Sequence, residues 1–244
     1  MSVGRIFARA YSIVRSNAAM VFGAAFLLSA LPEGVISFST MGPFLGPAMP
    51  GALVFGWGLP GALVGLLLQS LVQAVIMHVV IAEGRGRRAE FGESVGFAMS
   101  HLLQLAGVSL LLMVGLGLGF LFFVIPFFFL ATRWAVAVAV VVAEATGVGR
   151  AFGRSSELTA GARWKVFGLG IVVILVTVLI DVVGLVMKTA IQGNTMFNPL
   201  AMTVEMIAGA IGTALWGAMQ ASLYIELRDW KDGPATDRLV EIFR

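Results

Sequence analysis

The amino-acid sequence predicts an all-α, polytopic integral membrane protein, with about six transmembrane helices in three hairpin repeats plus interfacial amphipathic helices. Three observations carry that prediction. Of the 244 residues, 59% are hydrophobic and 12% charged, and the mean hydropathy is +0.98; soluble domains carry about 25% charged residues and cannot hide this much apolar surface from water. The apolar residues gather into six stretches of spanning length, for which about 20 residues are needed. The Lys and Arg residues crowd every second connection between those stretches.

In chain order the expected spans are Ala18–Ser37, Pro60–Ile81, Leu102–Val124, Pro126–Ala143, Val166–Val186 and Thr203–Tyr224. Pro126 marks a tight turn between the third and fourth, because a residue without a donor N–H is best tolerated at a helix start. Arg5, Arg9 and Arg15 precede the first span and loosely resemble the basic region of a leader, but the region is long for that, and the segment is read as a retained span. Arg85, Arg87 and Arg88 follow the second span, Arg150, Arg154, Arg163 and Lys165 separate the fourth from the fifth, and Arg228, Lys231, Arg238 and Arg244 follow the sixth. The opposite side has only Lys188. Loops rich in Lys and Arg stay in the cytoplasm, so both termini are expected there, in a bacterial inner membrane.

Between the first two spans, Val35–Pro60 has no charge and is broken by Gly and Pro. It is expected outside, either as an interfacial loop or, over residues 38–59, as a re-entrant loop lining a cavity. Amphipathic pieces precede the odd-numbered spans: Ile6, Phe7, Ala10, Tyr11 and Val14 among arginines, Phe91, Val95 and Phe97 beside Glu90 and Glu93, and Phe152 and Leu158 beside Arg150, Arg154 and Glu157. Such helices lie at the headgroup level with arginines out. Leu239, Val240, Ile242 and Phe243 form a similar closing piece.

Two segments align without a gap. Val79-Val80-Ile81-Ala82-Glu83 matches Val140-Val141-Val142-Ala143-Glu144, Phe91-Gly92-Glu93-Ser94 matches Phe152-Gly153-Arg154-Ser155, and Gly107 matches Gly168. The N-terminal part fits more loosely through Phe7 and Gly23, and Glu226 closes the last span as Glu83 and Glu144 close theirs. One membrane domain over 1–244 is therefore expected, divided into hairpin repeats at 1–82, 83–144 and 145–228 with a cytoplasmic tail at 229–244. Parallel repeats of this kind imply a pseudo-symmetric bundle.

The run Arg133-Trp134, Val142-Ala143-Glu144, Ala151-Phe152-Gly153-Arg154-Ser155, Leu158, Gly161 and Arg163-Trp164, with Tyr224-Ile225-Glu226-Leu227-Arg228 near the end, resembles a bacterial membrane-domain family named after glycerophosphoryl diester phosphodiesterases, to which that domain is sometimes fused. The resemblance covers most of residues 100–230. It implies a helical, multi-span inner-membrane domain and no phosphodiesterase activity, because the family's catalytic work belongs to a separate soluble barrel with a metal site of His and acidic residues, to which nothing here is similar.

Few residues are candidates for chemistry. Arg133, in the fourth span, and Asp181, in the fifth, are each about 10 Å from the outer end of their span at roughly 1.5 Å per residue. An unpaired intramembrane charge costs about 2.5 kcal/mol or more, so the two are expected to pair, either as a structural lock on helix register or as a site for an anionic lipid head, substrate or ion. Glu83, Glu144 and Glu226, with Arg85, Arg87, Arg88, Arg150 and Arg154, form a cytoplasmic charged rim: ordinary interfacial ion pairing, or a gate or docking surface. Gln69 and Gln73 share a face of the second span, with His78 one turn on, and Gln104 and Gln220 are candidates to join them in interhelical hydrogen bonds. Gly115 and Gly119 form a close-packing pair within the chain or between copies. The absence of cysteine excludes disulfides and thiolate chemistry. With only His78 and His101 as histidines, no metal motif, and no nucleophile elbow or phosphate loop, neither cofactor nor catalytic activity is expected.

The expected function is that of a non-enzymatic protein that binds membrane lipids, anionic ones foremost, or partner proteins in an accessory or scaffolding role, as a monomer or homo-oligomer and without nucleic acid. The alternative is a transporter or channel for a small or anionic solute using Arg133 and Asp181, and an intramembrane enzyme is the third class.

Overall fold

The computed structural model describes residues 2–34, 50–84, 87–122, 124–192 and 198–233, and its regular structure is helical throughout. The helices are α1 (Val3–Ser16), α2 (Ala18–Gly34, with a π turn at Phe26–Ala30), α3 (Pro50–Gly84), α4 (Phe91–Ser100), α5 (Leu102–Phe122), α6 (Val124–Arg133), α7 (Ala137–Glu144), α8 (Val148–Thr159), α9 (Arg163–Gln192) and α10 (Pro199–Asp232). Among the described residues five helical segments are long and apolar enough to cross a membrane, with α6 and α7 together making one of them, and the count is six if the α1–α2 pair, bent by 91°, is one span. The five coincide with the second to sixth expected stretches, and α2 lies over the first.

Local chemistry explains the ends. Asn198 caps α10 by accepting the Leu200 N–H on its side-chain oxygen (3.0 Å), and Pro199 occupies the first helical position, where no donor is needed. Gly233, at φ +82°, ends the helix. The α8–α9 turn uses Gly161 at φ +85°, where a Cβ would stand 3.2 Å from the Trp230 ring. The Gly-rich segment before the second span behaves differently from expectation: α3 begins at Pro50 and continues through Pro60, so 50–59 is helical rather than loop. Local Gly and Pro lower helix propensity without forbidding a helix that is already propagating. Residues 35–49 and the closing piece at 239–243 lie outside the described residues.

Glycines set several helix approaches. A side chain at Gly115 would collide with the Trp134 ring, and one at Gly119 would stand 3.1 Å from the Phe127 backbone. The Gly115–Gly119 pair is therefore used inside the chain, to bring α5 against α6 and the turn after it.

The three short amphipathic helices each press an apolar face onto another helix of the bundle: α4 on α3, α8 on α7, and α1 on α10. On α1 the buried residues are Ile6, Ala10 and Ile13, one face at helical spacing, with the arginines elsewhere. Together they form a collar around one end of the bundle, where the core is densest: every residue of Ala137–Val142 is buried, as are Leu71, Val72, Ala74–Met77 and Ala221–Tyr224. Beyond the collar α9 is far more open, with Leu175, Leu179, Leu185 and Val186 all more than half exposed.

Candidate functional site

The fourth span is not one helix. After Arg133 the chain leaves the helical path for three residues, and Ala137 bonds to the Trp134 carbonyl (3.1 Å) instead of reaching one residue further back. That frees the Arg133 carbonyl and the Val136 N–H, and α8 supplies the substitutes. Ser155 Oγ donates to the Arg133 carbonyl (2.9 Å) and accepts from the Val136 N–H (3.3 Å), and Thr159 Oγ1 also reaches the carbonyl (3.5 Å). Broken helices are tolerated in apolar surroundings when hydroxyl side chains re-satisfy the freed groups. Ser155 and Thr159 are both fully buried. Trp134 packs edge-on to Phe152 of α8 (5.0 Å).

The break also decides where Arg133 goes. Its Nε donates to Ser156 Oγ of α8 (3.1 Å), and its guanidinium lies 5.7 Å from the centroid of the Phe129 ring. The Arg163 guanidinium, in the first turn of α9, lies 5.2 Å from the same ring. Asp181 is 18 positions further along α9, about 27 Å at 1.5 Å per residue, exposed and without an ion pair among the described residues. The expected Arg133–Asp181 pair is therefore not formed. Equal depth assumed a straight fourth span beside the outer part of the fifth, whereas ten-residue α6 leans on the first turns of α9, with Phe128 edge-on to Phe167 (5.3 Å).

Beside this contact lies a cavity of about 360 Å³ between α3, α5, α6, α7, α9 and α10. Its walls are apolar apart from Gln69, Ser70, Gln73, Thr132 and Gln220 and the two indoles of Trp134 and Trp216. The structure thus unites Gln69, Gln73 and Gln220, as their placement on the spans anticipated, while Gln104 stays away. Phe128, Ile171 and Ile174 line the cavity and are also exposed, so it opens sideways between α6 and α9. No side chain crowds Gly170 on its wall.

The rim residues divide. Glu226 is buried and accepts the Ser2 N–H (2.7 Å) and Arg5 (2.8 Å), joining α1 to the end of α10. Glu144 accepts Arg154 Nε (3.3 Å) and the Tyr224 hydroxyl (3.1 Å), and Arg154 also bonds Asp232. Burial pulls the Arg154 pKa down, but Asp232 and Glu144 more than offset this and hold it above its ordinary value. Glu83 accepts instead from Asn17 at the α1–α2 bend (2.6 Å). Arg87 meets Glu93 (3.6 Å), Arg88 and Arg150 are exposed, and Arg85 lies outside the described residues. Arg5 and Asn17 were missed because their partners lie far along the chain.

His78 and His101 do not meet. Phe97 stands between them, its ring 4.6 Å from one imidazole and 4.5 Å from the other. Ser94 Oγ lies 2.9 Å from the Glu90 carbonyl, to which it can donate, and 3.0 Å from His78 Nδ1. Among the described residues no group of His, Asp and Glu is placed to hold a metal.

No family model, curated protein or solved structure matches the chain. What the site can do is therefore argued from its geometry.

Proposed function

We propose that the chain is a non-enzymatic, polytopic membrane protein that binds lipid in the cavity between its helices. The cavity itself carries this reading. It is apolar, within the size range of small-ligand sites, opens toward the side of the bundle rather than an end, and has three amides in position to bond an ester or other carbonyl-bearing group. Water-soluble ligands enter such bundles from their ends, and lipid reaches a side window by diffusing within the bilayer.

The collar end is the cytoplasmic one in this reading, in a bacterial inner membrane, because Arg5, Arg9, Arg15, Arg87, Arg88, Arg150 and Arg154 all belong to it or its edge. The three-unit repeat is supported by the order of contacts. Each amphipathic helix packs on the returning helix of the unit before it, α4 on α3 and α8 on α7, and α1 closes the cycle on α10. The repeated serines Ser94 and Ser155 are both fully buried, and the same offset relates the starts of α5 at Leu102 and α9 at Arg163. The likeness to the membrane-domain family fits as well, since Arg133, Trp134, Phe152, Ser155 and Arg163 all gather at the break. The collar is the surface proposed for an accessory protein partner. Solute transport loses its main support, because Arg133 and Asp181 lie far apart.

The test is Gly170→Leu. It adds a side chain to open space on the cavity wall and removes a helix-weakening glycine worth about 1 kcal/mol, so the fold is kept while the cavity fills. The purified variant is expected to lose the lipid that the wild type carries through detergent exchange, read by native mass spectrometry. Equal retention with intact thermal stability removes the cavity reading.

A further inference from the structure

Among the described residues, two cationic groups beside the cavity have no counterpart of opposite charge. Arg133 and Arg163 flank one ring, Phe129, at 5.7 and 5.2 Å. Neither forms a salt bridge among the described residues, whereas Arg5, Arg9, Arg87 and Arg154 each have a carboxylate within 4 Å. Arg163 Nε is buried with no hydrogen-bond partner, and Arg133 commits only its Nε, to the neutral Ser156 hydroxyl. Like charges gathered beside an apolar ring raise the energy of the site unless an anion occupies it.

The surroundings say which anion fits. Trp164, next to Arg163, is 86% exposed, as an indole is at the level of lipid headgroups. Phe129 is itself half-exposed, so the guanidinium pair is open from the side of the bundle. Along α6, Phe128 and Thr132 lie beside the pair and also line the cavity. A headgroup phosphate on the guanidiniums therefore has its acyl chain at the α6–α9 window. Arginine suits the task, because its planar fork of donors matches phosphate oxygens in pairs.

We propose that Arg133 and Arg163 form a binding site for the phosphate of a membrane glycerophospholipid whose acyl chain enters the cavity between α6 and α9. The assignment rests on the lipid-binding reading above and adds the headgroup chemistry. Ser156 is a positioning residue that holds the Arg133 fork toward the shared ring.

The experiment uses the full chain, delipidated in detergent and titrated with phosphatidylglycerol or with diacylglycerol of the same chains, with bound lipid counted by native mass spectrometry. Phosphatidylglycerol is expected to bind at least about tenfold tighter, a difference of about 1.4 kcal/mol. Equal binding of the two overturns the phosphate site and needs no variant. Arg133→Gln with Arg163→Gln is expected to abolish the preference, and a retained preference assigns the phosphate elsewhere and overturns the proposal. Competition by millimolar inorganic phosphate as strong as that by phosphatidylglycerol would make free phosphate the ligand and also overturn it. Gly170→Leu separates the two readings: loss of both lipids with the arginines intact supports the cavity, whereas a preference for phosphatidylglycerol that survives Gly170→Leu supports the arginine site and removes the cavity.

Discussion

Replacing Ser155 with alanine removes one oxygen that does two things. It deprives the Val136 N–H of its acceptor and leaves the Arg133 carbonyl with only the longer contact to Thr159, at 3.5 Å. Both groups are main-chain atoms at a helix break, so no rotamer change can move them to water. An unsatisfied buried donor costs about 1–3 kcal/mol, and an ordinary lost hydrogen bond about 1 kcal/mol, which together give about 2–4 kcal/mol for Ser155→Ala. Ser94 occupies the matching place in the other Phe-Gly-x-Ser segment, equally buried, and provides the internal reference. The Glu90 carbonyl that it bonds also receives the Ser94 N–H at 3.0 Å, so Ser94→Ala leaves only the His78 ring nitrogen without its partner and costs about 1 kcal/mol. Equilibrium unfolding in bicelles, with helicity and tryptophan fluorescence as separate probes, measures both. If Ser155→Ala is no more costly than Ser94→Ala, α8 does not hold the break together, and the account of the fourth span is wrong.

Further expectations concern the helix contacts, the rim and the topology. Gly115→Ala sets a methyl against the Trp134 ring and is expected to cost about 1–3 kcal/mol as overpacking, while Gly117→Ala, with nothing near it, is neutral or stabilising by up to about 1 kcal/mol; matched thermal denaturation of the two variants decides. Arg5→Ala leaves the buried Glu226 carboxylate with the Ser2 N–H and is expected to lower stability by about 1–3 kcal/mol, more than Glu226→Gln, which keeps an acceptor for both donors; the reverse order in a denaturation series would show that the pair does not fasten α1 to α10. Since the chain has no cysteine, single cysteines report sidedness. Gly92→Cys, exposed and uncrowded, is expected to react with a membrane-impermeant maleimide only from the cytoplasmic side, Thr203→Cys only from the other, and the buried Ser94→Cys from neither; labelling of positions 92 and 203 from the same side would overturn the orientation.

The helices of the bundle were legible because long apolar stretches have few other uses, and the charges between them were legible because they cluster. The break after Arg133 was not. Trp134, Ala135 and Val136 include neither glycine nor proline, and the departure from the helical path is stabilised by hydroxyls 19 to 26 positions later. That one tertiary contact carried Arg133 away from Asp181 and toward Arg163, whose place at the head of a span marked it as an ordinary interfacial charge. The glutamine row was readable at the level of faces, since Gln69 and Gln73 are one turn apart, but the void beside it depends on how far α6 leans from α9, which no local pattern encodes. Pro60 misled in the opposite direction: a residue that usually bounds a helix lies inside one.

The fastening of α1 bears on how the protein is made. The hydrogen bond from Ser2 to Glu226 joins positions 224 apart, so the main surface on which the apolar face of α1 packs does not exist until α10 has been synthesised. During that interval α1 rests against the bilayer or an insertion factor, and a nascent chain stalled before α10 presents an unmet amphipathic helix with three arginines at the membrane surface. Completion of the collar thus waits on α10, whose end carries the Glu226 that fastens α1.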